Sequence, residues 1–340
     1  MDVLPGASGG AKWLALAGLD RYLFGTFFQV PRARPLHGIG SSIGSWRMAC
    51  LAQRDPVAAL ARGHDAYVDR QRYSSRRPSA AEVSAVLGSC LGALLGDGGV
   101  DEILAHPWVR LHVITAEARG PAASTRRGVL TTALALAAAG NLVSRRALAW
   151  QLTRCVFHSC GDTTPFAHLA DLPTVHRPLT RENLRAALQA SGSIPLLMEG
   201  VRVPGAPGLH WDGGVLDYHL DLDFGRTTLG AGGDDAGLVL YPHFYAHVVP
   251  GWFDKGLRWR RARGPRHQAN FRRTLLVAPS DAFVASLPGG KIPDRQDFYT
   301  LTDDERRRRW RAVIAESERL GDEFAGLVAT GRVAEVVQAY

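Results

Sequence analysis

Short apolar runs alternate along this chain with longer segments of helical periodicity. One apolar run ends in Gly38 and Gly40, a serine follows, and a helical pattern begins at Ile43, which together predict a strand, a sharp turn and a helix. Further strands are predicted at residues 109–116, 153–159, 237–241 and 274–278. Strands that alternate with long helices are typical of a mostly parallel sheet covered by helices on both faces, so the predicted fold class is α/β.

Two helix starts carry the spacing of a capping box, in which a serine or threonine and a glutamate three residues later satisfy free backbone amides. Ser79 with Glu82 predicts one such helix. Thr302 with Glu305 predicts a long C-terminal helix at residues 302–328, whose apolar stripe is expected to pack in the core.

Three other segments are predicted from pattern and charge. Residues 43–62 predict one continuous helix, and residues 64–80 predict a solvated, arginine-rich connector. The alanine-rich segment 128–144 carries no charge, but it falls short of the ~20 strongly apolar residues that a membrane span needs. It is therefore predicted to be a buried helix.

The composition is that of an ordinary globular protein, with 46% hydrophobic and 21% charged residues in a chain of 340. No linker, repeat or low-complexity tract divides the chain, so residues 1–340 are predicted to form a single domain. The N-terminus lacks a basic region followed by an apolar run, and four cysteines are too few for a disulfide framework at this length. These features predict a cytoplasmic protein.

The formal net charge of +8 favours anionic membrane surfaces or nucleic acid, and it is equally typical of a basic surface that maintains solubility. Residues 241–273 interleave aromatic side chains with arginines and lysines. This mixture suits an anionic membrane surface, single-stranded nucleic acid, or buried aromatics beside a solvated basic loop. We expect peripheral membrane contact if the substrate is a phospholipid, and we expect no nucleic-acid partner.

The first candidate catalytic motif lies at the turn after the apolar run, where residues 40–44 match G-x-S-x-G. In this motif the serine occupies a strained turn between a strand and a helix, and Gly40 and Gly44 leave room for that turn. Ser42 is therefore the first candidate nucleophile. Ser8 lies in a second match and ranks below it, because the few residues before that motif make a poor supporting strand.

The candidate base for this serine is Asp212, which Gly213 and Gly214 follow. Two glycines allow a tight turn and the close approach of another loop. A carboxylate within hydrogen-bond reach can accept the proton of a serine hydroxyl directly. An ordinary Asp-Gly turn explains the same letters.

A second glycine loop, with Gly9 and Gly10, leads through Ala11 and Lys12 into an apolar helix. Exposed backbone amides at the start of a helix suit either a phosphate or an oxyanion. The glycine spacing matches neither a P-loop nor a dinucleotide fingerprint.

The glycine loop before Lys12, the turn at Ser42 and the Asp-Gly-Gly segment at Asp212 occur in the order and rough spacing of the patatin-like phospholipases. Residues 190–195 also resemble the Ala/Ser-rich segment ending in proline that this family carries before its aspartate. The resemblance covers about residues 3–217. It implies a patatin-like three-layer α/β architecture and a lipid acyl hydrolase that uses a serine–aspartate dyad without histidine.

The resemblance also implies a role for each matched residue. Ser42 would be the nucleophile and Asp212 the base that activates it. The amides around Gly9, Gly10 and Ala11 would stabilise the tetrahedral oxyanion, and Lys12 would occupy the basic position after the loop. The substrate would be a lipid or another ester, and no cofactor or metal is expected. The glycines that support the two motifs are Gly40, Gly44, Gly213 and Gly214.

The sequence departs from the family pattern in three places. Ser8 and Trp13 stand where the family usually has glycine, and residues 217–219 replace the Asn and Pro often seen after the Asp-Gly-Gly segment. These departures concern the shape of the loop and of the acyl pocket rather than the dyad.

Three alternatives stay open. A Ser-His-Asp triad could use His219, His243 or His247. The period-two pattern of residues 217–223 places four polar side chains on one face, which suits a metal site or a half-buried strand with a solvated outer face. A basic binding protein could also retain an inactive hydrolase scaffold.

Overall fold

A mostly parallel sheet of eight strands, flanked by helices, organises the chain. The computed structural model describes residues 1–161, 163–229 and 237–339. The strands are β1 (Val3–Gly6), β2 (Leu36–Ser41), β3 (Val109–Ala118), β4 (Leu152–His158), β5 (Thr174–Pro178), β6 (Leu209–Asp212), β7 (Val239–Pro242) and β8 (Thr274–Val277).

The strand order is β5-β4-β3-β2-β1-β7-β8, and β6 pairs separately with β3. Strands β1, β2, β3, β7 and β8 are parallel, whereas β4 and β6 run antiparallel to β3. Strands β1 and β4 are buried along their whole length, as expected for a sheet covered on both faces. The structure confirms the predicted α/β class.

Helices cover the sheet, and the chain enters the first of them through a 3-10 helix at Gly10–Leu16. The α-helices of the described residues are α1 (Ala17–Tyr22), α2 (Ile43–Leu51), α3 (Pro56–Asp69), α4 (Ala80–Leu95), α5 (Gly99–Leu104), α6 (Arg127–Val143), α7 (Leu184–Ser191), α8 (Phe224–Leu229), α9 (Pro265–Asn270), α10 (Asp281–Ser286), α11 (Asp297–Thr300), α12 (Asp303–Glu316), α13 (Glu318–Ala329) and α14 (Val333–Val336). The largest apolar core includes Trp13, Met48, Leu91 and Trp310, and smaller cores lie under α6 and around Phe166.

Strands β2 and β6 lie end to end along one edge of β3. Ser41, the last residue of β2, pairs with Ile114, and Asp212, the last residue of β6, pairs with Thr115. Because β6 runs antiparallel to β3 while β2 runs parallel to it, the carboxyl ends of β2 and β6 face each other. This register brings residues that are distant in sequence to one point at the end of β2.

The predicted helix at residues 43–62 is wrong in its continuity, because two helices occupy that stretch. The chain leaves α2 at Leu51, and Asp55 caps a new helix by accepting a hydrogen bond from the amide of Ala58 at 2.9 Å. Pro56 then takes the first position of α3, where its missing N–H costs nothing. Helix α3 extends to Asp69, so the connector is shorter than predicted.

Both predicted capping residues are confirmed, since Ser79 and Thr302 accept hydrogen bonds from amides three residues later. The single helix predicted at residues 302–328 is wrong, because α12 ends and α13 begins around Ser317. The hydroxyl of Ser317 accepts a hydrogen bond from the Gly18 amide at 2.9 Å. The interruption lets α1 pack closely against this junction.

Helix α6 is buried on one face only, which corrects the prediction of a buried helix at residues 128–144. Leu130 and Ala133 pack in the core, whereas Leu136, Leu142 and Val143 are 62%, 55% and 87% exposed. The alanine-rich pattern has no polar face, and periodicity alone therefore could not indicate that one side meets solvent. No helix among the described residues is long and apolar enough to cross a membrane.

Candidate active site

Ser42 occupies the sharp turn between β2 and α2, with φ +56° and ψ −131°. A positive φ is rare for a residue with a side chain, and such strain is concentrated at functional sites. The neighbouring glycines make the turn possible. A Cβ atom on Gly44 would lie 1.9 Å from the carbonyl oxygen of Gly6, and one on Gly40 would lie 2.4 Å from the carbonyl carbon of Gly44.

The hydroxyl of Ser42 donates a hydrogen bond to Oδ2 of Asp212 at 2.7 Å. The other carboxylate oxygen, Oδ1, accepts a hydrogen bond from the amide of Gly214, also at 2.7 Å. Both side chains are nearly buried, with 7% and 6% exposure. The carboxylate is therefore held by two donors, and one of them is the predicted nucleophile.

The glycines after Asp212 allow the close contacts that hold it in place. A Cβ atom on Gly213 would lie 2.2 Å from the carbonyl oxygen of Ile114, and one on Gly214 would lie 2.6 Å from Oγ of Ser8. The Asp-Gly-Gly segment therefore packs against β3 on one side and the glycine loop on the other, which a surface turn does not require.

Burial raises the pKa of Asp212 to about 6, because the carboxylate loses solvation in the interior. The hydrogen bonds from Ser42 and Gly214 and the charge of Lys255 act in the opposite direction. A carboxylate with this pKa is mostly ionised at pH 7, yet basic enough to accept a proton from a reacting hydroxyl.

Ser191 fixes the backbone of the turn. Its hydroxyl accepts a hydrogen bond from the amide of Ser42 at 2.9 Å and donates one to the carbonyl of Ile114 at 2.7 Å. The sequence had indicated this serine only as part of the family-like segment 190–195. No local pattern gave its partners, which come from β3 and from the start of α2.

The predicted oxyanion loop surrounds the start of the 3-10 helix Gly10–Leu16, and Gly10 has a φ of +55°. Within the part of the chain that the structure describes, the amides of Gly9, Gly10 and Ala11 donate no hydrogen bond. These three residues line the same cavity as Ser42 and Asp212. Their free amides are thus available to an anion in that cavity.

The cavity has a volume of about 570 Å³. Its lining combines apolar side chains with charged ones, as binding sites for amphipathic molecules do. The apolar members include Val83, Leu87, Ile194, Leu197, Val215, Phe298 and Leu301. The basic members are Lys12, Arg76, Lys255, Arg295 and Arg306, and the acidic members are Asp212, Asp294 and Asp303.

Two lysines add positive charge near the dyad. Burial lowers the pKa of Lys12, and loss of solvation together with the charge of Lys12 lowers the pKa of Lys255 to about 8. The ammonium of Lys255 lies 3.8 Å from the ring centre of Tyr218, a cation–π contact. The sequence places Lys255 only within the basic segment 241–273, because its position near Asp212 depends on the tertiary fold.

No protein-family model matches the chain, and no curated protein matches it.

The second candidate nucleophile, Ser8, lies in the same cavity but has different partners. Its hydroxyl donates to Oγ of Ser41 at 3.0 Å, and its amide donates to the carbonyl of Tyr218 at 2.8 Å. Among the described residues no carboxylate forms a hydrogen bond with the Ser8 hydroxyl. The structure brings the candidate base to Ser42 and not to Ser8.

The three histidines of the alternative triad contact other groups than the dyad. Nδ1 of His219 accepts a hydrogen bond from the amide of Val249, and Nδ1 of His243 accepts one from the amide of Tyr245. His247 stacks on the ring of Tyr245 with centroids 5.1 Å apart. No histidine of the described residues lines the cavity or bonds to the dyad. The geometry therefore does not support a triad.

Residues 217–223 form neither the solvated strand nor the metal site that the pattern allowed. Asp217 is buried and forms an ion pair at 2.7 Å with Arg154, which is fully buried. Asp221 is buried as well and lies 2.6 Å from Nδ1 of His267. The alternating pattern failed here because Arg154 and His267, which belong to other segments, pair with the acids in the interior.

Segment 241–273 divides into buried aromatics and exposed cations. Tyr241 and Phe244 are buried in the main core. Trp259 is 72% exposed, and its neighbour Arg258 is exposed too. The alternative of buried aromatics beside a solvated basic loop describes most of this segment, with Trp259 as the exception.

Proposed function

We propose that this protein is a lipid acyl hydrolase that cleaves carboxylic esters through an acyl-enzyme on Ser42. The observation that carries the proposal is the 2.7 Å hydrogen bond from the strained Ser42 to the carboxylate of Asp212. A buried structural serine has no need of a positive φ or of a carboxylate partner at the wall of a cavity. The resemblance of the motifs to those of patatin-like phospholipases supports the same reaction.

In the first half of the proposed reaction Asp212 accepts the proton of Ser42 as its oxygen attacks the ester carbonyl carbon. Negative charge moves to the carbonyl oxygen, where the free amides of Gly9, Gly10 and Ala11 stabilise it. Donors of this kind contribute roughly 2.7–4 kcal/mol each in well-studied hydrolases. The tetrahedral intermediate then collapses, the bond to the alcohol breaks, and Asp212 returns the proton to the departing alkoxide.

In the second half a water molecule attacks the acyl carbon and loses its proton to Asp212. The second tetrahedral intermediate releases a carboxylic acid, and Ser42 recovers its proton from Asp212. Each proton taken by Asp212 is thus returned within the same half-reaction, so no histidine or metal has to act.

The lining of the cavity supports an amphipathic ester as substrate. Leu87, Ile194 and Leu197 offer an apolar wall for an acyl chain, while Lys12 and Lys255 place positive charge near the reacting carbonyl. An ester with an anionic headgroup, such as a phospholipid, matches both features.

We also propose that the protein works at an anionic membrane surface, which it contacts through an apolar face next to the cavity. This interfacial face consists of exposed side chains from α6 and from two neighbouring segments, namely Leu136, Leu142, Val143, Trp150 and Trp259. Arg260 donates a hydrogen bond to the carbonyl of Asn141 at 2.7 Å and so joins the Trp259 segment to the end of α6.

Charge and position both favour this face. No charged residue occurs from 128 to 144, whereas Arg127 precedes this stretch and Arg146 follows it, as expected for a helix that lies in an anionic interface. Asn141, at the same end of α6 as Leu142 and Val143, donates a hydrogen bond to Oδ1 of Asp254 at 2.7 Å, and Asp254 lies between the cavity residues Trp252 and Lys255. A lipid held at this face would therefore lie close to the cavity.

A fluorophosphonate probe tests the dyad, because it labels an activated serine and ignores an inert one. We expect labelling of the wild type that disappears in Ser42→Ala, falls strongly in Asp212→Asn, and survives in the matched control Ser8→Ala. Circular dichroism of each variant excludes unfolding. Labelling that survives Ser42→Ala and vanishes in Ser8→Ala would reverse the assignment, and an unlabelled wild type would favour a binding protein on an inactive scaffold.

The substrate class is tested separately. A series of nitrophenyl esters of increasing chain length measures the acyl preference, and fatty-acid release from phospholipid vesicles measures lipid hydrolysis. We expect kcat/KM to rise with chain length because each buried methylene contributes about 0.8 kcal/mol. A preference for acetate over all longer esters would argue against a lipid substrate.

A further inference from the structure

Two histidines and a cysteine, residue types that can bind metal ions, converge at the end of the sheet opposite the dyad. His37 belongs to β2, His112 belongs to β3, and Cys160 follows the end of β4. The sheet register explains why the histidines meet. Ile39 pairs with His112, and His37 lies two residues before Ile39, so both imidazoles project from the same face.

The donor atoms of the three side chains lie close together. Nδ1 of His37 is 3.1 Å from Nε2 of His112, and Sγ of Cys160 is 3.4 Å from that same nitrogen and 3.9 Å from Nδ1 of His37. Tetrahedral zinc with ordinary bond lengths separates two nitrogens by about 3.3 Å and a nitrogen from a sulfur by about 3.6 Å. The donors thus already have nearly the spacing that such an ion needs.

We propose that His37, His112 and Cys160 bind a zinc ion. Two imidazole nitrogens and a thiolate form a donor set of intermediate softness, which suits Zn²⁺ better than the hard ions Mg²⁺ and Ca²⁺. The Cys160 thiol loses its proton to solvent as the zinc–sulfur bond forms, so binding releases one proton per ion. Three protein ligands leave the fourth tetrahedral position for a water molecule.

The surroundings orient the central ligand. Oγ1 of Thr164 lies 3.5 Å from Nδ1 of His112, the nitrogen that faces away from the other two donors. This hydroxyl also accepts a hydrogen bond from the amide of Phe166 at 3.2 Å, and the Phe166 ring lies edge-on to His112 with centroids 4.7 Å apart. Contacts of this kind fix the orientation and tautomer of a metal-binding histidine.

The site is open enough to exchange an ion with solvent. His112 is fully buried, whereas His37 and Cys160 are partly exposed. An ion that approaches from the exposed side would meet these two donors before it reaches the buried imidazole.

The proposed zinc site is independent of the proposed hydrolase chemistry. His37 precedes Ser42 by five residues along β2, a separation of about 16 Å at the usual rise of a strand. None of the three ligands lines the cavity. A bound ion would join β2, β3 and the segment after β4, and so would stabilise the sheet rather than take part in ester cleavage.

Metal titration of the purified full-length protein tests the site without any activity measurement. After removal of metal with a chelator, Zn²⁺ is titrated in competition with a chromophoric indicator, and Co²⁺ is added in parallel as a spectroscopic probe. We expect one zinc ion per chain, a rise in Tm on zinc addition, and a near-ultraviolet band from thiolate-to-cobalt charge transfer.

Variants assign the ligands. Cys160→Ser should abolish the charge-transfer band, and both Cys160→Ser and His37→Gln should weaken zinc binding at least tenfold. The matched controls His106→Gln and Ser42→Ala should bind zinc as the wild type does, since neither residue belongs to the cluster. Zinc affinity that is equal in the wild type and in both ligand variants would overturn the proposal, and so would a cobalt complex of the wild type without a thiolate band.

Discussion

The hydroxyl of Ser191 accepts the backbone hydrogen bond of Ser42, with 2.9 Å between amide nitrogen and oxygen, and thereby holds the strained turn against β3. Ser191→Ala removes the hydroxyl, so the Ser42 amide loses its hydrogen-bond acceptor and the Ile114 carbonyl loses its donor. A lost buried hydrogen bond costs about 1 kcal/mol, and the turn becomes free to relax. We expect kcat on a nitrophenyl ester to fall roughly five- to tenfold with little change in KM.

A neighbouring serine provides the control for this positioning role. Ser193 is also buried, but its hydroxyl donates to the carbonyl of Gln189 and does not touch the turn. Ser193→Ala should therefore leave kcat near the wild-type value. Equal losses of kcat in the two variants would mean that the segment acts only through general stability.

The pH dependence of hydrolysis should follow the ionisation of Asp212. Burial raises the pKa of this carboxyl to about 6, and only the ionised form can accept the proton of Ser42. As the pH falls through about 6 the carboxylate becomes protonated, so kcat/KM should decrease about tenfold per pH unit below that value. A pH profile with a neutral nitrophenyl ester measures this directly.

For charged substrates, the ionisation of Lys255 should add a second change in kcat/KM at high pH. Its pKa is lowered to about 8, mainly by loss of solvation, so its positive charge disappears as the pH rises through that value. An ester with an anionic headgroup should therefore lose kcat/KM above pH 8, whereas a neutral ester should not. Parallel profiles that decline equally for both substrates would contradict a role for this charge.

Asp212 should reduce the stability of the folded protein, as the base of a buried dyad does. Folding raises the pKa of this group from 3.8 to about 6, so the ionised form is disfavoured in the folded state. This shift lowers the free energy of unfolding by about 3 kcal/mol above pH 6, where the carboxyl is ionised in both states. Below about pH 4 the carboxyl is protonated in both states, and the shift no longer affects stability. Asp212→Asn, which keeps the shape, should raise the free energy of unfolding at pH 7.5.

Urea denaturation at two pH values checks both the sign and the window. The variant should be more stable than the wild type at pH 7.5 and equal to it at pH 3.5 if both proteins remain folded there. A variant that is less stable at pH 7.5 would show that the hydrogen bonds to the carboxylate outweigh its desolvation.

A buried ion pair supports the helix that follows Ser42. Arg47 of α2 donates two hydrogen bonds to Asp20 of α1, at 2.8 and 2.6 Å, and both side chains are almost fully buried. Arg47→Met leaves the Asp20 carboxylate buried without its partner, which typically costs 3–5 kcal/mol. We expect a loss of that size in the free energy of unfolding. Arg332 forms an exposed ion pair with Glu335. The substitution Arg332→Met removes this pair and should lower the free energy of unfolding by less than 1 kcal/mol.

The sequence could predict the local backbone structure around Ser42, but not the tertiary contact between Ser42 and Asp212. The glycines around Ser42 indicate a strand, turn and helix because the constraint is local, and the structure has that turn at that residue. The meeting of Ser42 with Asp212 depends on the register of β2 and β6 along β3, and only the family resemblance suggested it. Nothing local indicated that α1 and α2 share an ion pair.

The exposed apolar side chains of α6 should strengthen membrane binding, because their transfer from water into a lipid interface lowers the free energy. Val143 is 87% exposed, and burial of a valine side chain contributes about 1.5 kcal/mol, or about tenfold in affinity. Val143→Glu should therefore weaken sedimentation with vesicles that contain phosphatidylglycerol at least tenfold. It should also reduce fatty-acid release from those vesicles, while hydrolysis of a short nitrophenyl ester stays unchanged.

Two comparisons separate interface binding from a general effect of the added charge. Val336→Glu introduces the same change at an exposed position of α14, outside the interfacial face, and should leave vesicle binding near the wild-type level. Wild-type binding should also weaken as salt screens the arginines that flank α6. If the two glutamate variants lose binding equally, net charge and not the face of α6 governs attachment, and the interfacial face has to be abandoned.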